Sequence, residues 1–293
     1  MNIQERIVHL HYCSSGNHRF LAAIAKSDPS FTTVYSLSPN SLASLTGVNH
    51  DKAGKFLNLL HSVSLNKLKR SYIDKGISYV TVFDENYPPM LKNIYDPPWV
   101  LYYHGNFKHV TAGAALSVVG TRHPSEYAWV EMKSILEPVI KKGVTIVSGL
   151  ALGIDRMAHE LAVAHSGKTA AVLGYGLNYM YPAANKKVFN ELKENQLLIT
   201  EYPPYIKPQK WHFPERNRII SGLSPAVFVV EAKERSGSLI TAELAVQQNR
   251  DVLALPGRIS SPESAGTNRL IQEGAKIILS AEDILEEYLH LNV

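Results

Sequence analysis

The sequence contains a single cysteine, Cys13, among 293 residues. One cysteine cannot form an internal disulfide, and it excludes any metal site that needs several thiolate ligands. The N-terminus carries Glu5 and Arg6 and lacks a long apolar core, so it does not have the pattern of a signal peptide. No apolar run is long enough to span a bilayer. These absences predict a cytoplasmic protein with no membrane contact.

Several enzyme motifs are also missing. The chain has no GxxxxGK[ST] loop for ATP, no GxSxG nucleophile elbow and no HExxH metal motif. The segment GYGLNY has two of the three glycines of a dinucleotide fingerprint, but Tyr179 stands at the third position and the segment follows an internal strand. We therefore predict no cofactor and no metal, and a protein that is not an enzyme.

The overall charge is only slightly positive. Thirty Lys and Arg residues stand against 26 Asp and Glu residues, for a net charge of +4. This value permits a polyanionic partner without requiring one, because a binding groove depends on local placement. Between positions 205 and 222, only Glu215 opposes the basic residues Lys207, Lys210, Arg216 and Arg218.

Residues 1–70 have the apolar periodicity of helices and are predicted to form a small helical domain. Within it, positions 41–60 predict two helices joined by a tight turn at Gly47 and Val48. This pattern is typical of a helix-hairpin-helix or SAM-like module, which often presents backbone N–H groups to DNA phosphates. A helical packing domain without a ligand fits the same residues equally well.

Residues 71–293 alternate short apolar runs with helical patterns and are predicted to form a second, α/β domain. Such alternation implies a parallel sheet with helices on both faces. The runs predicted as strands are 77–83, 99–103, 115–119, 144–147, 169–173, 197–200, 226–230, 252–254 and 276–279. In sheets of this kind, ligands bind at the carboxyl ends of the strands.

Four loops are predicted to lie at that edge of the sheet. Glycine allows close backbone approach, arginine grips phosphate with two donors, and amides at a helix N-terminus bind anions. The first three loops contribute Gly120, Thr121 and Arg122, then Ser148, Gly149 and Leu150, then Tyr181, Asn185, Lys186 and Lys187. The fourth segment, 211–244, contributes Phe213, Arg216, Asn217, Arg218, Ser236, Gly237 and Ser238. Taken singly, the arginines and lysines could be solvated surface residues, and the serines could be plain helix caps.

The string of motifs as a whole resembles the DprA (Smf) family of DNA-processing proteins. It comprises VVGTR at 118–122, SGLALGID at 148–155, GYGLNYMYPAAN at 174–185 and FPERNRIISGLS from position 213, and then VVEA, SGSLITAELA, LPG and GTNRLIQEGA. The similarity extends over roughly residues 75–285. Leu152 stands where the family often has arginine or another polar residue, so no phosphate contact is carried over to that position.

The resemblance implies an extended Rossmann-like, doubly wound, mostly parallel sheet beside the small helical domain. It also implies a protein that binds single-stranded DNA, protects it during natural transformation and loads the RecA recombinase onto it. A homodimer is implied, with Asn268, Ile271 and Ile277 as candidate interface residues. The chain stops at Val293, so the winged-helix domain that many members carry at the C-terminus is expected to be absent.

Two other functions stay open at this point. The first is a Rossmann-like nucleotide hydrolase, which would need an acidic catalytic group beside the glycine-rich loops, with Glu231 and Glu243 as candidates. The second is an adaptor that contacts RecA but not DNA.

Overall fold

A computed structural model of the protein describes residues 1–289. Five helices form its N-terminal part. Each helix begins with an asparagine or serine whose side chain accepts a hydrogen bond from the backbone N–H three residues later, so the first turn is capped. The helices are α1 (Ile3–Cys13), α2 (His18–Ser27), α3 (Pro39–Thr46), α4 (His50–Ser62) and α5 (Leu65–Asp74).

The helical region packs directly onto the edge of the sheet. Ile7 and Leu10 of α1 are fully buried and belong to one hydrophobic cluster with Tyr102 and Leu198. The predicted boundary at residue 70 falls inside α5, and the last four residues of the predicted second domain, 290–293, lie outside the described residues. The division into domains 1–70 and 71–293 stays a prediction.

Within residues 1–289, nine strands form one sheet, and the prediction of an α/β fold with a mostly parallel sheet is confirmed. The strand order is β1-β2-β6-β5-β4-β3-β7-β8-β9, with antiparallel pairing at β1–β2 and β2–β6 and parallel pairing elsewhere. The strands are β1 (Ser78–Thr81), β2 (Val100–Gly105), β3 (Ala115–Val119), β4 (Thr145–Ser148), β5 (Thr169–Val172), β6 (Leu197–Thr200), β7 (Ala226–Val229), β8 (Asp251–Ala254) and β9 (Lys276–Ile277).

Helices cover both faces of the sheet, as the apolar runs in its central strands predict. In β3, Leu116 and Val118 pack on one face, while Ala115 and Val119 pack on the other. The remaining helices are α6 (Pro89–Lys92), α7 (Glu126–Lys141), α8 (Ile154–Ala164), α9 (Lys186–Asn195), α10 (His212–Gly222), α11 (Gly237–Gln247), α12 (Ala265–Gln272) and α13 (Ala281–Leu289).

Differences from the predicted element ends have local causes. The last strand is shorter than predicted because the Asp283 carboxylate accepts the N–H of Leu279 and turns the chain into α13. Gly222 is the last residue of α10 and does not adopt the left-handed conformation of a helix stop. Its lack of a side chain serves packing, since a Cβ there would lie 2.7 Å from Leu91 Cδ1.

Candidate nucleic-acid interface

A cavity of about 610 Å³ opens at the carboxyl ends of β3, β4 and β7. It collects residues from loops that are far apart in the sequence. The predicted site residues that line it are Gly120, Thr121, Arg122, Tyr181, Phe213, Arg216, Asn217, Ser236, Gly237 and Ser238.

Backbone hydrogen bonds hold the loop after β3, and the side chain of Arg122 in this loop is exposed. The N–H of Thr121 donates to the carbonyl of Glu231 over 2.8 Å, and the Thr121 carbonyl accepts the N–H of Ile154 over 3.1 Å. Gly120 is required because a Cβ there would lie 2.6 Å from Ile154 Cγ1. The Arg122 side chain is exposed and forms no hydrogen bond or ion pair with any described residue. This arginine is therefore available to a ligand in the cavity.

Arg216 lies in the cavity wall but is buried. Its Nη1 donates to the carbonyl of Gly149 over 2.6 Å and to the carbonyl of Val172. Burial lowers the pKa of Arg216, and the nearby Asp155 carboxylate acts in the opposite direction. The sequence predicted that Arg216 binds phosphate from the protein surface. In the structure its guanidinium donates to two backbone carbonyls and places a positive charge in the cavity wall.

Of the backbone amides predicted to be free at positions 148–150, that of Gly149 has a partner within the protein. The N–H of Gly149 donates to Asp155 Oδ2 over 3.1 Å, and the Ser148 hydroxyl donates to the Val118 carbonyl over 2.6 Å. Leu150 is buried, and none of the three residues lines the cavity. The cause is Asp155, which lies in the first turn of α8 and also accepts the N–H of Ala151 over 3.3 Å.

Asn185 is also wrongly predicted as a DNA contact. It is buried, and its Nδ2 donates to the Leu150 carbonyl over 2.8 Å, so it fixes the loop after β4. Lys186 and Lys187 are exposed in the first turn of α9, outside the cavity lining. Phosphate contacts by these two lysines stay predictions.

Arg218 does not belong to the cavity, and its predicted phosphate contact is wrong. Its Nε donates to Asp96 Oδ2 over 3.0 Å, and its Nη2 donates to Glu201 Oε2 over 2.6 Å. The Arg218 side chain is 10% exposed. The two carboxylates neutralise its charge away from the ligand site.

The N-terminus of α11 forms a further wall of the cavity. Ser236 caps the helix by accepting the N–H of Ser238 over 3.2 Å, and Gly237 is exposed. A helix N-terminus favours anions, since its first N–H groups lack partners in the helix.

Three basic residues of the lining were not among the predicted contacts: Lys210, Lys233 and Arg235. Lys233 pairs with Glu263 over 2.8 Å, whereas Arg235 is exposed and free of ion pairs among residues 1–289. Arg235 immediately precedes the predicted Ser236–Ser238 loop. Its position next to that loop is the sequence signal that indicates a place in the cavity lining.

Two aromatic rings stand at the cavity wall. The ring centroids of Tyr181 and Phe213 are 5.7 Å apart, and the Tyr181 side chain is 50% exposed. Tyr175 fixes the Tyr181 backbone, because its hydroxyl donates to the Tyr181 carbonyl over 2.6 Å. Trp211, at the start of α10, is 62% exposed. These rings offer apolar faces beside the cations.

The acidic residues considered for hydrolysis lie elsewhere. The Glu231 carboxylate accepts both the N–H and the hydroxyl of Ser125, over 2.9 and 2.6 Å, and Glu243 is outside the cavity lining. Asp155 is the carboxylate in the lining, and burial raises its pKa, while Arg216 acts in the opposite direction. Over residues 1–289, no group of three or more His, Cys, Asp and Glu residues could hold a metal ion.

The three residues predicted as dimer contacts differ in their exposure. Asn268 is half-buried, and its amide group bonds both the N–H and the carbonyl of Gly257, over 3.1 and 3.0 Å, so its role as an interface residue stays a prediction. Ile271 is half-buried, and Ile277 is 43% exposed on the end strand β9. In the described part of the chain, no helix is long and apolar enough to cross a membrane.

Comparison with known proteins places this architecture in a family. Residues 78–289 match the family described as DNA recombination-mediator protein A. The chain is 44% identical to the DNA processing protein DprA of Bacillus subtilis over 229 residues, which is 78% of this chain and 77% of that protein. It is 44% identical to DprA of Streptococcus pneumoniae over 208 residues, 71% of this chain and 73% of that protein.

Solved structures agree with the sequence comparison. The X-ray structure of Streptococcus pneumoniae DprA superposes with a TM-score of 0.84 at 36% identity, and covers 98% of this chain and 99% of that one. A Helicobacter pylori DprA structure, described as giving insight into its single-stranded DNA binding mode, superposes with a TM-score of 0.66 at 32% identity, over 73% of this chain and 96% of that one. The chain belongs to the DNA recombination-mediator protein A family.

Proposed function

We propose that the protein binds single-stranded DNA along the cavity at the carboxyl edge of the sheet and acts without catalysis. One observation carries this proposal: Arg122 and Arg235, which pair with no acid among residues 1–289, converge with the N-terminus of α11 on a single cavity. The guanidinium of Arg216 adds positive charge to its wall. Such an arrangement suits successive phosphates of one strand.

Base contacts would come from the aromatic rings. Tyr181 and Phe213 lie at the cavity wall, and Trp211 immediately precedes α10, the helix that carries Phe213. Stacking of a base on an aromatic ring contributes about 1–3 kcal/mol and tolerates any sequence. Phosphate grip combined with stacking therefore suits a protein that handles arbitrary DNA. The single-stranded DNA binding described for the Helicobacter pylori relative supports the same partner for this chain.

The test is a fluorescence-anisotropy titration of labelled oligo-dT at two or more salt concentrations. Arg122→Ala combined with Arg235→Ala should weaken binding and lower the log–log salt slope by about 1.4, because each phosphate neutralised on a single strand contributes about 0.7. Lys133→Ala combined with Lys142→Ala is the matched control, since both lysines are exposed on or next to α7 and outside the cavity lining. Unchanged affinity and slope in the arginine variant would refute the proposal.

We extend the proposal to assembly and partners. The family resemblance predicts a homodimer, and exposed apolar side chains at the β9 end of the sheet support it: Val246 is 67%, Ile277 43% and Leu279 69% exposed. The resemblance also predicts that the DNA-bound protein loads RecA. Strand exchange by RecA on single-stranded DNA coated with a single-strand-binding protein should therefore accelerate when the wild-type chain is added. The Arg122 and Arg235 variant should lose this effect.

The alternatives make different predictions. A nucleotide hydrolase would turn over a purine nucleotide, and the change Asp155→Asn would abolish that turnover, as Asp155 is the carboxylate in the lining. Its Oδ2 already accepts two backbone amides, which favours a structural role. A protein that contacts RecA but not DNA would still bind RecA. In that case Arg122→Ala would leave the gel shift of oligo-dT unchanged.

A further inference from the structure

The positive charge of this protein is concentrated in its N-terminal helices. Residues 1–75 contain nine Lys or Arg residues and four Asp or Glu residues, whereas residues 76–293 contain 21 and 22. The net charge is therefore +5 for the helical part and −1 for the larger remainder. The cavity described above lies in the part that is close to neutral, so its cations do not account for the excess.

Most of the N-terminal cations are exposed and unpaired. Within the described residues, no hydrogen bond or ion pair engages the side chains of Arg19, Lys26, Lys52, Lys55, Lys67, Arg70 and Lys75, and all seven are exposed. Of the four acids in residues 1–75, Asp51 and Asp74 are exposed, and side chains or backbone amides nearby engage the other two. Glu5 pairs with Lys69 over 2.8 Å, and the Asp28 carboxylate accepts bonds from Ser30, Thr32 and Thr33.

The cations are ordered on two consecutive helices. Lys52 and Lys55 on α4, and Lys67 and Arg70 on α5, are each three residues apart and thus share a helix face. The opposite faces bury Ala53, Phe56, Leu57 and Leu60 on α4, and Leu68 and Tyr72 on α5. Packing of those apolar faces therefore fixes both basic pairs toward solvent.

The helical region also borders the loop that leads to the cavity. Tyr205 donates its hydroxyl to the Tyr12 carbonyl at the end of α1 over 2.6 Å. The same loop continues through the exposed Lys207 to Lys210, which lines the cavity. On the other side, Tyr72 of α5 packs against Tyr102 with ring centroids 5.7 Å apart. The loop that carries Lys210 is therefore anchored to α1 of the N-terminal helices.

We propose that the basic pairs of α4 and α5 form a second contact surface for the phosphate backbone of the same DNA strand. This inference rests on the proposed function, in which the cavity holds the first part of the strand. The surface extends the length of DNA bound and adds affinity that depends on salt.

The experiment compares two labelled oligo-dT probes on the full chain, one of about six nucleotides and one of about 30. The first is near the lower end of the usual site sizes of single-strand-binding modules, about 4–16 nucleotides, and the second is well above that range. The variants are Lys52→Glu with Lys55→Glu, and Lys67→Glu with Arg70→Glu. Each should weaken binding of the long probe and lower its salt slope by about 1.4. Binding of the short probe should not change. Circular dichroism verifies that the helices are retained.

Lys133→Glu with Lys142→Glu is the matched control, because it changes the net charge by the same amount at exposed positions. Equal weakening by this control, equal weakening of the short probe, or unchanged binding of the long probe would each overturn the inference. If the cavity does not bind DNA, so that the proposed function itself fails, the result is different. In that case Arg122→Ala with Arg235→Ala would leave both probes bound normally.

Discussion

Arg216 and Arg218 lie two residues apart on α10 and point to opposite sides of the helix. Arg216 reaches the carbonyls of Gly149 and Val172 in the cavity wall, whereas Arg218 lies between Asp96 and Glu201. Two residues correspond to a rotation of about 200° around a helix axis. Neighbouring arginines in one motif thus divide between the wall of the cavity and an ion-pair network outside it.

The division predicts that Arg218→Ala destabilises the protein without damaging the cavity. Removing one partner leaves the Glu201 carboxylate buried without its counter-charge, which costs about 3–5 kcal/mol. Urea unfolding measures the loss, and oligo-dT affinity of the folded protein should stay at the wild-type value. Arg269→Ala is the control, since its pair with Glu273 is exposed and should leave the unfolding midpoint unchanged. A cavity defect in the Arg218 variant would contradict this assignment.

Gly149, which lies behind Arg216, and Gly237, which lines the cavity, should respond oppositely to alanine. A Cβ at Gly149 would lie 2.3 Å from Arg216 Nη1, so Gly149→Ala must displace the guanidinium and weaken DNA binding. A Cβ at Gly237 meets nothing within 4 Å, so Gly237→Ala should bind DNA like the wild type although this residue lines the cavity. Anisotropy titration of both variants is the measurement. Equal affinities for the two would contradict the role given to Arg216.

Stability should fall in acid partly because His159 is buried. The Thr169 hydroxyl donates to the Ile146 carbonyl over 2.8 Å, so His159 Nδ1 must be the donor in its 2.6 Å bond to Thr169 Oγ1. His159 Nε2 has no hydrogen-bond partner among the described residues. The imidazole is therefore neutral, and burial lowers the pKa of His159 from 6.5 to about 3.

The sign of the pH effect follows from proton binding. Below pH 6.5 the unfolded chain binds a proton at His159 that the folded chain does not, until the pH reaches about 3. Stability is thus full above pH 6.5 and falls by about 1.4 kcal/mol per pH unit through this window. His159→Asn can retain the bond to Thr169 but cannot titrate. Urea unfolding at pH 7.5 and pH 4.5 should show a smaller acid loss for the variant, and an unchanged loss would contradict the prediction.

Charge at the β9 end of the sheet should disrupt a homodimer. Ile277 and Leu279 are exposed and two residues apart, so Ile277→Asp with Leu279→Asp places two carboxylates at the proposed contact. Light scattering coupled to size exclusion should then report the mass of a monomer. Ile259→Asp is the control, because Ile259 is 99% exposed on a different loop and should leave the mass unchanged. A dimer that survives the double change would exclude this surface.

The sequence predicted the sheet well, because its central strands are short apolar runs buried on both faces. Arg122 was also predicted correctly as a residue of the strand-end loops, since its position after β3 fixes its place. Asn185 and Arg218 were misassigned because their partners are distant in the chain. Arg218 pairs with Asp96 and Glu201. The sequence of α10 does not indicate which face of the helix these two acids contact.

The cavity draws its walls from segments between Val119 and Thr241, and each segment follows a different strand. A partly folded chain would therefore present no anion pocket at all, because the pocket requires β3, β4 and β7 to be aligned. An oligonucleotide that binds there recognises only the completed sheet. At a concentration of 100 times Kd it would stabilise the native state by about 2.7 kcal/mol, so each molecule bound to DNA is also protected against unfolding.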